Sequence, residues 1–193
     1  MIAVSLARRA GRLAGPVGRR AAFVAGFGVS LLLSYGLHAQ TSPELQTVFI
    51  TASDTIDAPA NKTWRYVRDF ARLPEIVPAG VATCERSGHP RNGSWVITLP
   101  NGKTIAEQTT AYSQRHRFLR YVMTDTPLPL ADYVGTVQVT PLPDGRSRLA
   151  LEASYAADPA RLEALAAQIG GFQRAFLAGT QAHFSPTVTL VAN

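Results

Sequence analysis

Cysteine is almost missing from this chain: Cys84 stands alone among 193 residues. One thiol forms no disulfide within a chain, so the fold depends on its buried core. Histidine is sparse too. His38, His89, His116 and His183 are scattered, share no ligand spacing, and stand beside no CxxC pair. No metal site is expected from such a set. The chain also lacks a glycine-rich phosphate loop and a GxSxG elbow, so it carries no motif for phosphate cradling or serine-based hydrolysis. No cofactor is implied. Acidic residues are absent from residues 1–39, which hold Arg8, Arg9, Arg12, Arg19 and Arg20. With those five set aside, 14 Lys and Arg face 13 Asp and Glu, and the net charge of +6 falls to +1. A nucleic-acid binder carries its basic stripe on the folded domain. Here the excess lies outside it, and no nucleic-acid partner is expected.

What is present begins with a leader over residues 1–39. A basic stretch runs to Arg20. The apolar run AAFVAGFGVSLLLSYGL follows over 21–37, then Leu37-His38-Ala39-Gln40 with a small residue at a cleavage position. This is the layout of a secretory signal peptide. It implies an exported protein, periplasmic or secreted, that starts near Gln40. The apolar run is at the lower edge of what spans a bilayer. The competing expectation is therefore an uncleaved anchor in the inner membrane through residues 21–37. Residues 40–46 read as a linker, 47–185 as the folded domain, and 186–193 as a tail.

Within the domain, β-branched runs alternate with turn signals. Thr47–Ile56 reads as a first strand. Trp64, Val67 and Phe70 recur at helical spacing in Asn61–Ala71, with Asp57 as a possible cap, and Ile76-Val77-Pro78 gives a second short helix or turn. Strands are expected at Val81–Arg86, Ser94–Leu99, Thr104–Tyr112, 118–124, 132–140 and 146–155. Asn101-Gly102 and Pro143-Asp144-Gly145 supply turn chemistry between them. Asp158-Pro159 opens a long helix to Phe184. Leu162, Leu165, Ile169, Phe172, Phe176 and Thr180 lie on one stripe of it. Gly170-Gly171 inside that helix marks either close packing or a break. The order is strand, two short helices, six strands and one long helix. It predicts an α+β fold with an antiparallel sheet curled around the last helix.

Alternation assigns the faces. Tyr133, Gly135, Val137 and Val139 share the apolar side of their strand. Leu119, Tyr121 and Met123 share one side, with Arg120 on the other. Leu149, Leu151, Ala153 and Tyr155 form a third inward set, which leaves Glu152 outside. Glu107 shares a face with Ile105, Thr109 and Ala111, and periodicity alone leaves it either inside or solvated.

The segments DAPANKTWRYVRDFARLPEIVP, ATCERSG, NGKTIAEQ, RFLRYVM and PLADYVGTVQV, in that order, resemble the SRPBCC superfamily. That group includes START-like lipid carriers, polyketide cyclases and Bet v 1-like proteins. The resemblance covers about Val48 to Phe184. It implies the helix-grip fold: about seven strands wrapped around a long C-terminal helix, two short helices between the first and second strands, and an apolar cavity. Many members carry an Arg shortly after the Gly of the third strand; Gly93-Ser94-Trp95-Val96 has none. The resemblance places Glu107, Tyr121 and Tyr133 toward the cavity. It puts two loops, Pro100–Lys103 and Thr126–Leu130, over its mouth.

Two functions are left open by this reading. One is binding or carriage of a small hydrophobic ligand, with Glu107, Tyr121 and Tyr133 orienting its polar end. Met123, Val137, Leu151, Phe172 and Phe176 would then line the apolar wall. The other is a cyclase or dehydratase in which Glu107 is the acid or base and Tyr133 polarises a carbonyl. The partner in either case is a small apolar molecule, with a membrane contact only through the N-terminal segment.

Overall fold

Tyr133 to Val139, Leu119 to Met123 and Leu149 to Tyr155 each turn an apolar, aromatic or small set to one side, and the chain uses these sets to wrap one sheet around one helix. The computed structural model describes residues 3–7 and 44–185. Its strands are β1 (Ala3–Ala7), β2 (Gln46–Ile56), β3 (Thr83–Ser87), β4 (Ser94–Thr98), β5 (Thr104–Ser113), β6 (Phe118–Asp125), β7 (Ala131–Pro141) and β8 (Ser147–Ala157). The helices are α1 (Ala60–Val67), α2 (Leu73–Ile76) and α3 (Leu162–Phe184). All strand pairs are antiparallel, in the order β1-β2-β8-β7-β6-β5-β4-β3. Seven strands, β2 to β8, form the curved sheet of a helix-grip fold, with the two short helices after its first strand and α3 along its concave side.

The eighth strand departs from the sequence expectation. Residues 3–7, which read from sequence as the start of the leader, pair along Thr47–Thr51 at the sheet edge. That edge otherwise presents unpaired N–H and C=O groups. The apolar run 21–37, the cleavage position and the tail 186–193 lie outside the described residues. Among the described residues no helix is long and apolar enough to cross a membrane.

Several boundaries differ from the sequence expectation for local reasons. The first helix stops at Val67 instead of continuing to Ala71. Arg68 closes it by donating its N–H to the Trp64 carbonyl (3.1 Å), and Asp69 is extended and pairs with Arg86 (3.1 Å). A 3-10 turn at Phe70–Arg72 then turns Phe70 inward. Asp57 is not a helix cap. Its backbone N–H donates to the Gln181 side chain (3.2 Å), and its carboxylate accepts from the same amide (2.7 Å). Asp158 does cap, but over the 3-10 turn Pro159–Arg161, where it accepts from the Ala160 N–H at 2.8 Å. The long helix starts only at Leu162 and runs unbroken through Gly170 and Gly171.

The core has two parts. One gathers Trp64, Val67, Phe70, Leu73, Ile76 and Val81 against Trp95, Ile97, Leu119, Val137 and Leu149. The other packs Leu165 and Ile169 of α3 over Val48, Ile50, Tyr133, Ala153 and Tyr155. Gly179 fixes the α2–α3 crossing. A β-carbon there would overlap the carbonyl oxygen of Ile76 and stand 2.9 Å from its carbon.

Candidate functional site

Between the two core parts the sheet and α3 leave a cavity of about 370 Å³. It lies within the ordinary range for a small-molecule site, roughly 300–1,000 Å³. Every residue named from sequence lines it: Glu107, Tyr121, Met123, Tyr133, Val137, Leu151, Phe172 and Phe176. The inward assignments follow from strand alternation, and they hold along β6, β7 and β8. Glu152 is exposed beside Thr51, Arg120 and Thr136, although it also borders the cavity. The bulge in β5 between Thr109 and Ala111 shifts the alternation there, so Tyr112 also packs against the core.

Glu107 faces inward and is 4% exposed. Its cross-strand partner on β4 is Trp95, whose indole N–H donates to Glu107 Oε2 at 2.5 Å. Burial raises the Glu107 pKa to about 8, against a smaller downward pull from the Trp95 hydrogen bond. Desolvation dominates because a charged carboxylate loses far more hydration than one indole N–H restores. Near neutral pH this group therefore holds its proton and can donate as well as accept a hydrogen bond.

The floor of the cavity is a chain of aromatic rings. Phe70 meets Trp95 edge-on at 4.5 Å between centroids and Tyr121 at 5.3 Å; Tyr121 and Tyr133 follow at 6.2 Å. The two edge contacts of Phe70 each add about 0.5–1.5 kcal/mol beyond area burial, and the Tyr121–Tyr133 pair is tilted. Burial pushes both phenols upward, and the neighbouring Glu107 carboxyl adds to this, so both stay protonated. Tyr121 can lie flat because its cross-strand partner is Gly135. Any β-carbon at Gly135 would meet the ring.

Two parts of the site escape a sequence reading. Leu73, Val77, Ala79 and Gly80, in and after α2, form part of the wall. Gln173 of α3 also lines it. This residue is 4% exposed, and its Oε1 has no partner among the described residues. A polar residue drops out of any search for an apolar stripe, although Gln173 sits four residues after Ile169 and four before Leu177, both buried.

The mouth also differs from expectation. Leu128 of the β6–β7 loop lines the cavity, whereas Pro100–Lys103 does not. The β4–β5 connection is a tight turn, closed by Leu99 N–H donating to the Lys103 carbonyl at 2.8 Å, with Gly102 at φ 79°. It is too short to reach inward and stays exposed. The exposed lining residues Ala79, Gln168 and Ala175 put the opening between the segment after α2 and the outer flank of α3. Among the described residues no cluster of His, Cys, Asp and Glu is placed to hold a metal.

Residues 47–185 match the family described as polyketide cyclase/dehydrase and lipid transport. The chain belongs to that family, and with it to the SRPBCC superfamily. Solved structures share the fold. The ZhuI aromatase/cyclase of Streptomyces sp. R1128 is 15% identical with a TM-score of 0.65, over 75% of this chain and 97% of that one. Norcoclaurine synthase of Thalictrum flavum is 18% identical at 0.62, over 74% and 96%. XoxI of Bacillus cereus is 20% identical at 0.64, over 70% and 94%. At these identities the likeness is one of fold. No curated protein matches the chain.

Proposed function

We propose that this protein binds and carries a small, uncharged, largely apolar molecule in the cavity between its sheet and α3. The observation that carries this reading is the contrast between wall and centre. The wall is mainly aliphatic and aromatic, with Gln173 on α3, while the buried polar groups Glu107, Tyr121 and Tyr133 gather on the sheet side. An apolar body gains from burial at about 25 cal/mol per Å² of apolar surface. A carbonyl or hydroxyl on it finds donors in the protonated Glu107 and the two phenols. An anionic ligand fits badly, because among the described residues no Lys, Arg or His lines the cavity to pair with it. The test is native mass spectrometry of the protein purified from its own host. A retained neutral molecule of discrete mass supports carriage. Protein that emerges empty and takes up no apolar molecule from a total lipid extract would reject it.

A second reading is favoured by one feature, the Glu107 pKa of about 8. A group that titrates near neutrality is suited to moving protons, and Tyr133 could hold a carbonyl oxygen during an enolisation or dehydration. Glu107→Gln separates the two. Under this reading it abolishes turnover of a cyclisable poly-β-ketone while leaving its binding within a few-fold. Under the carrier reading there is no turnover to lose.

A further inference from the structure

Glu107, Tyr121 and Tyr133 all sit on the sheet. Gln173 faces them from the other wall. Its position on α3 is nine-tenths buried, and its Oε1 lacks a partner among the described residues. Leaving an amide oxygen buried and unpaired costs free energy that any aliphatic side chain of similar size would avoid. The helix does not need the amide: Ile169 and Leu177, one turn to either side, are apolar and buried. Nor does the terminal torsion of Gln have a sharp preference, so the amide can turn its oxygen or its nitrogen to a neighbour.

We propose that Gln173 is a second polar anchor of the cavity, and that the ligand carries a hydroxyl or N–H directed at α3 in addition to the oxygen function directed at Glu107. This rests on the carrier reading above and narrows its ligand class. The molecule is a neutral, mainly apolar body with hydrogen-bonding groups at two separated places, as on a hydroxylated ring ketone. A simple fatty chain, or a molecule with one polar end, would leave Oε1 unpaired in the complex as well. The apolar belt of Met123, Val137 and Leu151 takes the middle of such a molecule.

Three naphthyl ketones test this by titration calorimetry: 6-hydroxy-2-acetonaphthone, its methyl ether, and 2-acetonaphthone. All have the carbonyl, and only the first has a donor at the far end. The protein should bind the hydroxy compound about tenfold more tightly than either relative, the increment of one buried hydrogen bond. Gln173→Leu should remove that preference and leave 2-acetonaphthone binding within twofold. It should also raise or preserve the melting temperature of the empty protein, since a structural glutamine would instead lower it. Gln173→Asn, which keeps the amide but shortens it, should retain a reduced preference. Equal binding of all three compounds by the natural protein would overturn the inference while leaving the carrier reading intact. So would a preference that survives Gln173→Leu. Failure of all three to bind would count against both.

Discussion

Tyr121 lies across Gly135, its hydroxyl oxygen 2.6 Å from where a β-carbon on that glycine would stand. The pair faces itself across β6 and β7, and a bare backbone at one position gives the ring its place at the other. The ring in turn spans the gap between Phe70 and Tyr133. One glycine hydrogen thus sets the shape of the cavity floor.

Gly135→Ala should therefore lower stability by about 1–3 kcal/mol, the usual cost of overpacking. In an ordinary strand the same change is neutral or favourable. In a Tyr121→Ala background Gly135→Ala should cost nothing or stabilise slightly. Urea unfolding of the two single variants and the double variant checks this. Additive effects would show that the ring does not depend on the glycine.

Much of the cavity is legible in the sequence because strands advertise their faces by alternation. The period alone turns Tyr133, Val137, Leu151 and Met123 inward, and they line the cavity. Glu107 is different. Its own face mixes Ile105 and Ala111 with Thr109, and the opposite face mixes Ala106 with Gln108 and Thr110, so periodicity does not choose a side, and only the family resemblance favours the interior. What stays hidden depends on contacts distant in sequence. Trp95 reads as an ordinary aromatic until its indole is seen to hold Glu107. Gln173 is polar, so a stripe drawn through apolar residues passes it by although Ile169 and Leu177 flank it. The early end of α1 reflects Asp69 meeting Arg86 seventeen residues on, which no local signal announces.

Glu107 makes stability depend on pH. Its carboxyl titrates near 4.5 when unfolded and near 8 when folded. Below pH 4.5 both states are protonated and the group has no effect on the slope. Between about 5 and 8 only the unfolded state loses its proton, so stability falls as pH rises. The loss is on the order of a few kcal/mol and levels off above the folded pKa. Glu107→Gln keeps an acceptor for the Trp95 indole and should flatten the profile over that range. Chemical denaturation at pH 5, 6, 7 and 8 measures it; parallel profiles for the two proteins would contradict the assignment.

Two helix glycines should behave oppositely. Gly179→Ala pushes a methyl into the Ile76 carbonyl and should cost more than about 2 kcal/mol, because backbone cannot step aside as a side chain can. Gly171→Ala meets only the Arg174 guanidinium at 3.8 Å. It should stabilise by roughly 1 kcal/mol through helix propensity. Thermal melts of the two variants decide this. Similar losses for both would mean that α3 is seated differently against α2.

The Trp95 hydrogen bond opposes the upward shift at Glu107, so its removal should raise that pKa further. In Trp95→Phe the pH at which stability levels off should move upward. The difference reads out as a displaced profile in the same denaturation series. An unchanged midpoint would show that the indole does not act on the carboxylate.

The most direct test is whether the space between sheet and helix takes a guest. N-phenyl-1-naphthylamine, neutral and fluorescent in apolar surroundings, should bind saturably with one molecule per protein. Met123→Trp extends a larger side chain into the cavity from a half-buried position whose natural side chain is itself adaptable. It should fold normally and lose at least tenfold in affinity. A probe that fails to bind the natural protein, or binds the filled variant equally well, would contradict the claim that this fold is built around a ligand.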